Sequence, residues 1–368
     1  MRLSKPSTDP SQKVVVGMSG GVDSSVAASL LIQAGYHVIG VMMQLWSEDE
    51  KEYENRGCNP EAISMARNVS EILNIPFYTI DARQVFYNRV VQEFIDGYSK
   101  GITPNPCILC NQYIRWGFLL EKALELGAEF LATGHYARLC RTDNNKIQLL
   151  RGVDLSKDQS YVLHILTQGQ LSHSLFPIGE YTKLHVRQIA RDLSLPTANR
   201  TDSQDLCFLG ESGYNRFLIR YAPQVLKPGP ILNLEGKQIG EHRGLAFYTI
   251  GQRKGINVHS PVPLYVFSRD ITQNSLVVCR GEELSKDQLI VGAVNWIAGE
   301  PPGNPFRAQV KIRYKAQETW ATIKLIEKQC VAVHLDISQP GISPGQSAVF
   351  YNDEVCLGGG IIQVEEQR

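Results

Sequence analysis

From residue 13 to about 135, short apolar runs alternate with longer stretches whose apolar positions recur at helical spacing. Residues 14–18, 37–43, 76–80 and 130–133 read as strands, the first from the run Lys13-Val14-Val15-Val16. Residues 24–35, 60–73, 85–98 and 114–126 read as the helices between them. This rhythm predicts a parallel sheet with helices on both faces and ligands at the carboxyl ends of its strands. Two stretches break it. Residues 47–57 are acidic (Glu48, Asp49, Glu50, Glu52, Glu54) and read as a solvated loop. In Gly101-Ile102-Thr103-Pro104-Asn105-Pro106-Cys107-Ile108-Leu109-Cys110-Asn111 two prolines hold the chain extended and deliver two cysteines to the start of a helix.

Residues 182–194 carry another helical pattern, and 201–210 form a loop holding Cys207. Beyond 213 glycine and proline rise (Pro228-Gly229-Pro230, Gly236, Gly240, Gly244), which marks a small module ending near 287. From about 289 the period becomes two. Phe306, Ala308, Val310, Ile312 and Tyr314 alternate with Arg307, Gln309, Lys311, Arg313 and Lys315, a strand with one buried and one basic face. Residues 331–337 and 347–351 read as further strands, with a hairpin turn at Asn352-Asp353. The expected fold class is α/β. A doubly wound parallel-sheet domain spans 1–212, a small middle module 213–287 and an antiparallel β-barrel 288–368.

Composition narrows the class. The 368 residues are 43% hydrophobic and 20% charged with zero net charge, so a nucleic-acid partner would need a local patch, and the basic strand face is the candidate. Apolar runs are too short for a membrane span, and the polar start lacks a signal-peptide core, which predicts a cytoplasmic protein. Eight cysteines in this length do not suggest a disulfide scaffold.

The candidate chemistry begins at Gly17-Met18-Ser19-Gly20-Gly21-Val22-Asp23-Ser24-Ser25, between the first strand and helix. Backbone N–H groups at such a turn cradle an anion. There is no Walker lysine and no dinucleotide fingerprint. The pattern is similar to the loop of the ATP pyrophosphatases, which adenylate a carbonyl oxygen. Cys107-Ile108-Leu109-Cys110 reads as half of a zinc site, a redox pair, cluster ligands with Cys207, or a nucleophile, Cys110, whose thiolate a helix N-terminus favours. Cys140, Cys279, Cys330 and Cys356 read as small buried hydrophobes.

Taken together the motifs are specific. Beside the glycine loop stand Thr103-Pro104-Asn105-Pro106 running to Cys110-Asn111, Ala132-Thr133-Gly134-His135-Tyr136 and Lys157-Asp158-Gln159-Ser160-Tyr161. Asp202-Ser203 running to Cys207-Phe208, Tyr248-Thr249-Ile250-Gly251-Gln252-Arg253-Lys254-Gly255, Arg313-Tyr314 and Ser343-Pro344-Gly345-Gln346 follow in the same order. The chain resembles the tRNA-specific 2-thiouridylases, which replace the C2 oxygen of the wobble uridine with sulfur. The resemblance implies that Gly17, Met18, Ser19, Gly20, Gly21, Val22, Asp23, Ser24, Met43 and Gly134 hold ATP with Mg²⁺. It implies that Asn105, Pro106 and Cys107 cradle the target base, and that His135, Lys157, Asp158, Gln159, Arg313, Tyr314 and Gln346 touch tRNA. Cys110 would be the nucleophile and Cys207 the persulfide carrier, the two ending as a disulfide. The tRNAs implied are those for lysine, glutamate and glutamine, and the sulfur donor a cysteine desulfurase or sulfur-relay protein. Many members carry aspartate where this chain has Cys107. That departure removes a candidate acid/base and keeps a [4Fe–4S] cluster on Cys107, Cys110 and Cys207 as an alternative.

Two other function classes compete. A ligase-type pyrophosphatase adenylating a small carboxylate or amide leaves the paired loop cysteines and the barrel unexplained. An ATP-sensing RNA-binding protein makes the cysteines purely structural.

Overall fold

The computed structural model describes residues 12–48, 60–201, 206–209 and 213–364. The acidic stretch from 49 to 57 and Asp202-Ser203 lie outside them. Strands β1 (Lys13–Gly17), β2 (His37–Gln44), β3 (Phe77–Asp81), β4 (Phe130–Ala132) and β7 (Ser174–Leu175) form an all-parallel sheet in the order β3-β2-β1-β4-β7. The Val14, Val15 and Val16 side chains of β1 are buried on both faces, which is what a central parallel strand requires. On one face they meet Val26, Ala27 and Ala28 of helix α1 (Val22–Gln33) with Ala62 and Ala66 of α2 (Pro60–Ile72). On the other they meet Trp116, Leu119 and Leu120 of the helical stretch 106–125.

Two helical stretches, 83–99 and 106–125, depart from α-helical winding. Tyr87–Val91 and Cys110–Leu119 carry the wider i→i+5 hydrogen bonding of a π-helix. Both contribute to a cluster rich in aromatic rings, with Phe86, Val90, Phe94, Cys110 and Ile114 all buried.

The middle module is a four-stranded sheet of β8 (Gly229–Leu232), β9 (Gln238–His242), β10 (Leu264–Asp270) and β11 (Ser275–Arg280), ordered β10-β11-β8-β9. The last part is a closed six-stranded barrel. It runs β12 (Ser285–Trp296), β15 (Cys330–Pro340), β14 (Thr319–Glu327), β13 (Phe306–Lys311), β16 (Ser347–Asn352), β17 (Val355–Ile362) and back to β12. β12 pairs with β15 up to Val291 and with β17 from Val291 to Trp296, which closes the barrel; a register shift between Gly292 and Asn295 interrupts the second ladder.

One pairing was not legible in the pattern. The hairpin β5 (Ala137–Arg141) and β6 (Ile147–Arg151) leaves the parallel domain and adds to β17, so one sheet crosses from the first part of the chain to the last. Arg151 locks that seam. Its guanidinium donates to Glu318 at 2.7 and 2.6 Å and to the Asp353 carbonyl at 3.0 Å, and lies 3.7 Å from the centre of the Tyr351 ring. Among the described residues, no helix is long and apolar enough to cross a membrane.

The basic strand face differs from the expectation. The strand ends at Lys311, and Arg313 to Lys315 lie in the turn beyond it. Arg307 is paired with Asp336 of β15, and Lys311 lies 3.7 Å from Glu318. Asp336 on β15 and Glu318 just before β14 therefore neutralise half of the stripe, and only the turn keeps an exposed basic character. Cys279 and Cys356 are buried as expected, but Cys140 and Cys330 are half-exposed on hairpin strands.

Replacing Arg151 with alanine strands the Glu318 and Asp158 carboxylates at the seam. A loss of about 3 kcal/mol is expected, as for a broken, largely buried ion pair. Calorimetry reads it as a lower unfolding temperature, and an unchanged transition would contradict the seam's role.

Candidate functional site

The glycine loop closes on itself through its serines. Ser24 Oγ accepts from the Ser19 N–H at 3.2 Å, and the two hydroxyls lie 3.3 Å apart. Ser25 Oγ donates to the Gly21 carbonyl at 2.9 Å. No side chain caps the start of α1, so its first N–H groups are presented at the carboxyl edge of the sheet. The loop after β4 comes directly against them. A Cβ on Gly134 would sit 2.8 Å from the Asp23 carbonyl carbon and the Ser24 nitrogen, so only glycine fits. Met43 lies at the end of β2. The loop, Met43 and Gly134 thus stand at the ends of the adjacent strands β2, β1 and β4.

Asp23 is a hub. Lys183 Nζ contacts both of its carboxylate oxygens at 2.7 and 2.8 Å, and the Tyr136 hydroxyl donates to one at 2.9 Å. Arg200 Nη1 donates to the Gly20 carbonyl at 2.8 Å. Sequence reasoning missed Lys183 and Arg200. A signal existed for the first: a lysine in the opening turn of a helix opposes the helix dipole and calls for an acid nearby.

Asn105 caps the helical stretch 106–125, its Oδ1 accepting from the Cys107 N–H at 3.2 Å, with Pro106 in the first turn. Cys110 therefore sits a full turn inside the helix rather than at its N-terminus, and its thiol is buried. Burial pushes its pKa up, against the downward pull of the Arg115 guanidinium. The expected thiolate-favouring effect of a helix end is thus overruled by desolvation. Cys107 is exposed to solvent. Its thiol is pushed up to about 11, by desolvation first and the neighbouring Cys110 second. Asn111 is buried, its amide donating to the Val162 carbonyl at 2.9 Å.

Cys207 is exposed, but its neighbours are not. Phe208 packs edge-on against Phe86, Phe94 and Phe217 in the cluster that contains Cys110, and Leu206 and Leu209 pack on the same cluster. Met43 packs there too, and also on the core beneath the sheet. The Cys110 helix, the Cys207 loop and the end of β2 thus share one hydrophobic anchor. No group of three His, Cys, Asp or Glu among the described residues could hold a metal ion, so Cys107, Cys110 and Cys207 are not assembled as a cluster site.

The residues expected at tRNA divide in two. Arg313 and Tyr314 are exposed, and Tyr314 lies within electrostatic reach of Cys107 and Asp158. Lys157 is half-buried. The others are turned inward. His135 is 5% exposed, bonded to Thr133 Oγ1 at 2.7 Å, and held neutral by burial and by Arg115. Asp158 is buried and accepts from Gly152 N–H and Ser160 N–H, both at 3.1 Å. Gln159 Oε1 accepts from the Tyr136 N–H at 3.0 Å. Gln346 Nε2 donates to the Thr103 carbonyl at 2.8 Å. These four position the walls of the site.

Three family models match in succession. A tRNA methyl transferase HUP domain covers residues 12–211, a tRNA methyl transferase PRC-barrel domain 215–280 and an aminomethyltransferase beta-barrel domain 286–362. The tRNA-specific 2-thiouridylase MnmA of Chloroflexus aggregans is 46% identical over 95% of this chain and 98% of its own. The protein of that name from Clostridium perfringens is 44% identical over 96% and 98%.

Arg115 is the cation that opposes the burial of Cys110. Its replacement by alanine should move the pH midpoint of Cys110 alkylation upward, read by mass spectrometry of iodoacetamide-treated protein. An unmoved or lowered midpoint would contradict this placement.

Proposed function

The chain belongs to the tRNA-specific 2-thiouridylase family, and on that premise we propose that it replaces O2 of the anticodon wobble uridine of tRNA with sulfur, using ATP. One observation carries the mechanistic part: Met43, Cys110 and the Cys207 loop share one cluster at the carboxyl end of β2, the strand beside the one that ends in the glycine loop. Nucleotide activation and sulfur delivery then meet in one place.

In this reading ATP lies on Gly17 to Ser24, Met43 and Gly134, arriving as its Mg²⁺ salt. The wobble base must be unstacked to reach it, and Asn105, Pro106 and Cys107 receive it. The uracil O2 attacks the α-phosphorus, the α–β bond breaks, and pyrophosphate leaves with the bonding pair. The terminal sulfur of a Cys207 persulfide attacks C2, and the C2–O bond breaks to release AMP. Cys110 then attacks Cys207 Sγ. The S–S bond to the base breaks, its sulfur stays on C2, and a Cys110–Cys207 disulfide forms. A dithiol reductant returns both thiols. The persulfide comes from a donor protein such as a cysteine desulfurase or a sulfur-relay protein. Lys157, Arg313 and Tyr314 contact the tRNA, while His135, Asp158, Gln159 and Gln346 hold the contacting segments in place. Desolvation pushes the Cys107 thiol up to about 11, which makes it a weaker acid than the aspartate many members carry at that position. That no group of three His, Cys, Asp or Glu among the described residues could hold a metal ion favours the persulfide reading over the cluster one.

The family models carry methyl-transfer descriptions, whereas the relatives are named for thiolation. A reactive cysteine pair beside an ATP-type loop favours sulfur over methyl transfer.

The test incubates unmodified lysine, glutamate or glutamine tRNA with ATP, Mg²⁺ and a persulfide donor, and measures 2-thiouridine by mass spectrometry. Cys110→Ser and Cys207→Ser should each lower the rate by at least roughly 1,000-fold, and Cys140→Ser should not. Absence of 2-thiouridine with the wild-type chain, or full activity in either cysteine variant, would contradict the proposal.

A further inference from the structure

We infer that Lys183 is the lysine the glycine loop lacks: its ammonium group binds the β- and γ-phosphates of ATP and the pyrophosphate they become. This rests on the ATP reading above. Backbone N–H groups can direct phosphate oxygens, but the charge that gathers on a departing pyrophosphate calls for a fixed cation. None stands in the loop from Gly17 to Ser25.

The fold supplies one from 160 residues downstream. Lys183 opens the helix Lys183–Asp192, and its side chain is 11% exposed. Its Nζ lies 2.7 and 2.8 Å from the two Asp23 oxygens, in the first turn of α1, where the phosphate cradle is. The position is unfavourable for a lysine by the helix dipole, and the structure works to keep it there. The Lys183 N–H donates to Asp154 Oδ2 at 3.0 Å, and the Thr182 hydroxyl accepts from the His185 N–H at 3.3 Å. Tyr136 donates to Asp23 Oδ1 as well, so Lys183 is not the sole donor to that carboxylate. An ammonium group donates up to three hydrogen bonds, so it can hold Asp23 and a phosphate oxygen together.

The same segment brackets the loop from its other side. Arg187, on the same helix, donates to the Ala198 and Arg200 carbonyls at 2.8 and 2.9 Å. Those bonds place Arg200, which in turn holds the Gly20 carbonyl at 2.8 Å. Lys183 and Arg200 therefore flank the cradle as parts of one unit, and the chain runs from that unit directly to the Cys207 loop.

Calorimetric titration of the full chain with ATP, AMP and pyrophosphate tests the role, with thermal melting as a folding control. Lys183→Met should weaken ATP and pyrophosphate binding by roughly 10–100-fold, the value of a hydrogen bond between charged groups, and leave AMP binding unchanged. Lys183→Arg should recover most of the loss. The double variant Lys183→Met with Asp23→Asn carries no unpaired carboxylate and keeps the test valid if the single variant misfolds. Its ATP binding should stay weak. Equal losses for AMP and ATP, unchanged ATP binding, or wild-type ATP affinity in the double variant would overturn the inference alone. A wild-type chain that binds none of the three ligands would overturn the ATP reading and the inference with it.

Discussion

Thr103 is where the three parts of the chain are tied. Its N–H donates to the Pro344 carbonyl at 3.0 Å, and its own carbonyl accepts from Gln346 Nε2. Its hydroxyl accepts from Arg269 Nη2 of the middle module at 3.1 Å. The barrel loop comes so close that a Cβ on Gly345 would lie 2.9 Å from the Thr103 nitrogen, and that glycine has φ +88°. Each bond alone contributes about 1 kcal/mol net, but losing a partner leaves a buried group unsatisfied at a greater cost. Two residues after Thr103 comes Asn105, which caps the helix carrying Cys107 and Cys110. The position of Asn105, Pro106 and Cys107 is therefore fixed by the barrel and the middle module as well as by the sheet domain. This is a physical reason for an ATP-binding domain to carry two further modules.

The electrostatics of the site follow from the same enclosure. Burial keeps Cys110 and His135 neutral and raises Cys107, so the reactive thiols rest in their protonated forms. The charged groups sit at fixed places around them: Lys183 with Asp23 at the glycine loop, and Arg115 beside Cys110. A thiol held protonated by burial reacts more slowly than a thiolate.

Much of this was legible in the chain. Period-two and helical patterns predict the parallel sheet and the barrel, because burial on a face leaves a direct mark in the sequence. The glycine loop and the paired cysteines declare themselves because their chemistry restricts residue type. What was not legible depends on long-range geometry. Nothing local announces that β6 will pair with β17, that Lys183 will reach Asp23, or that Gln346 will bond Thr103. The misreadings have the same origin. The basic strand face looked uncovered because Asp336 and Glu318 lie elsewhere in the chain, and the Cys110 thiol looked activated because burial is invisible in sequence.

The central claim is that uracil O2 is adenylated before sulfur arrives, and an isotope reports on it directly. Unmodified tRNA carrying ¹⁸O at C2 of the wobble uridine would be thiolated in a single turnover with ATP and a persulfide donor. The account predicts that the label appears in AMP. Label in pyrophosphate or in water, with 2-thiouridine formed, would contradict it.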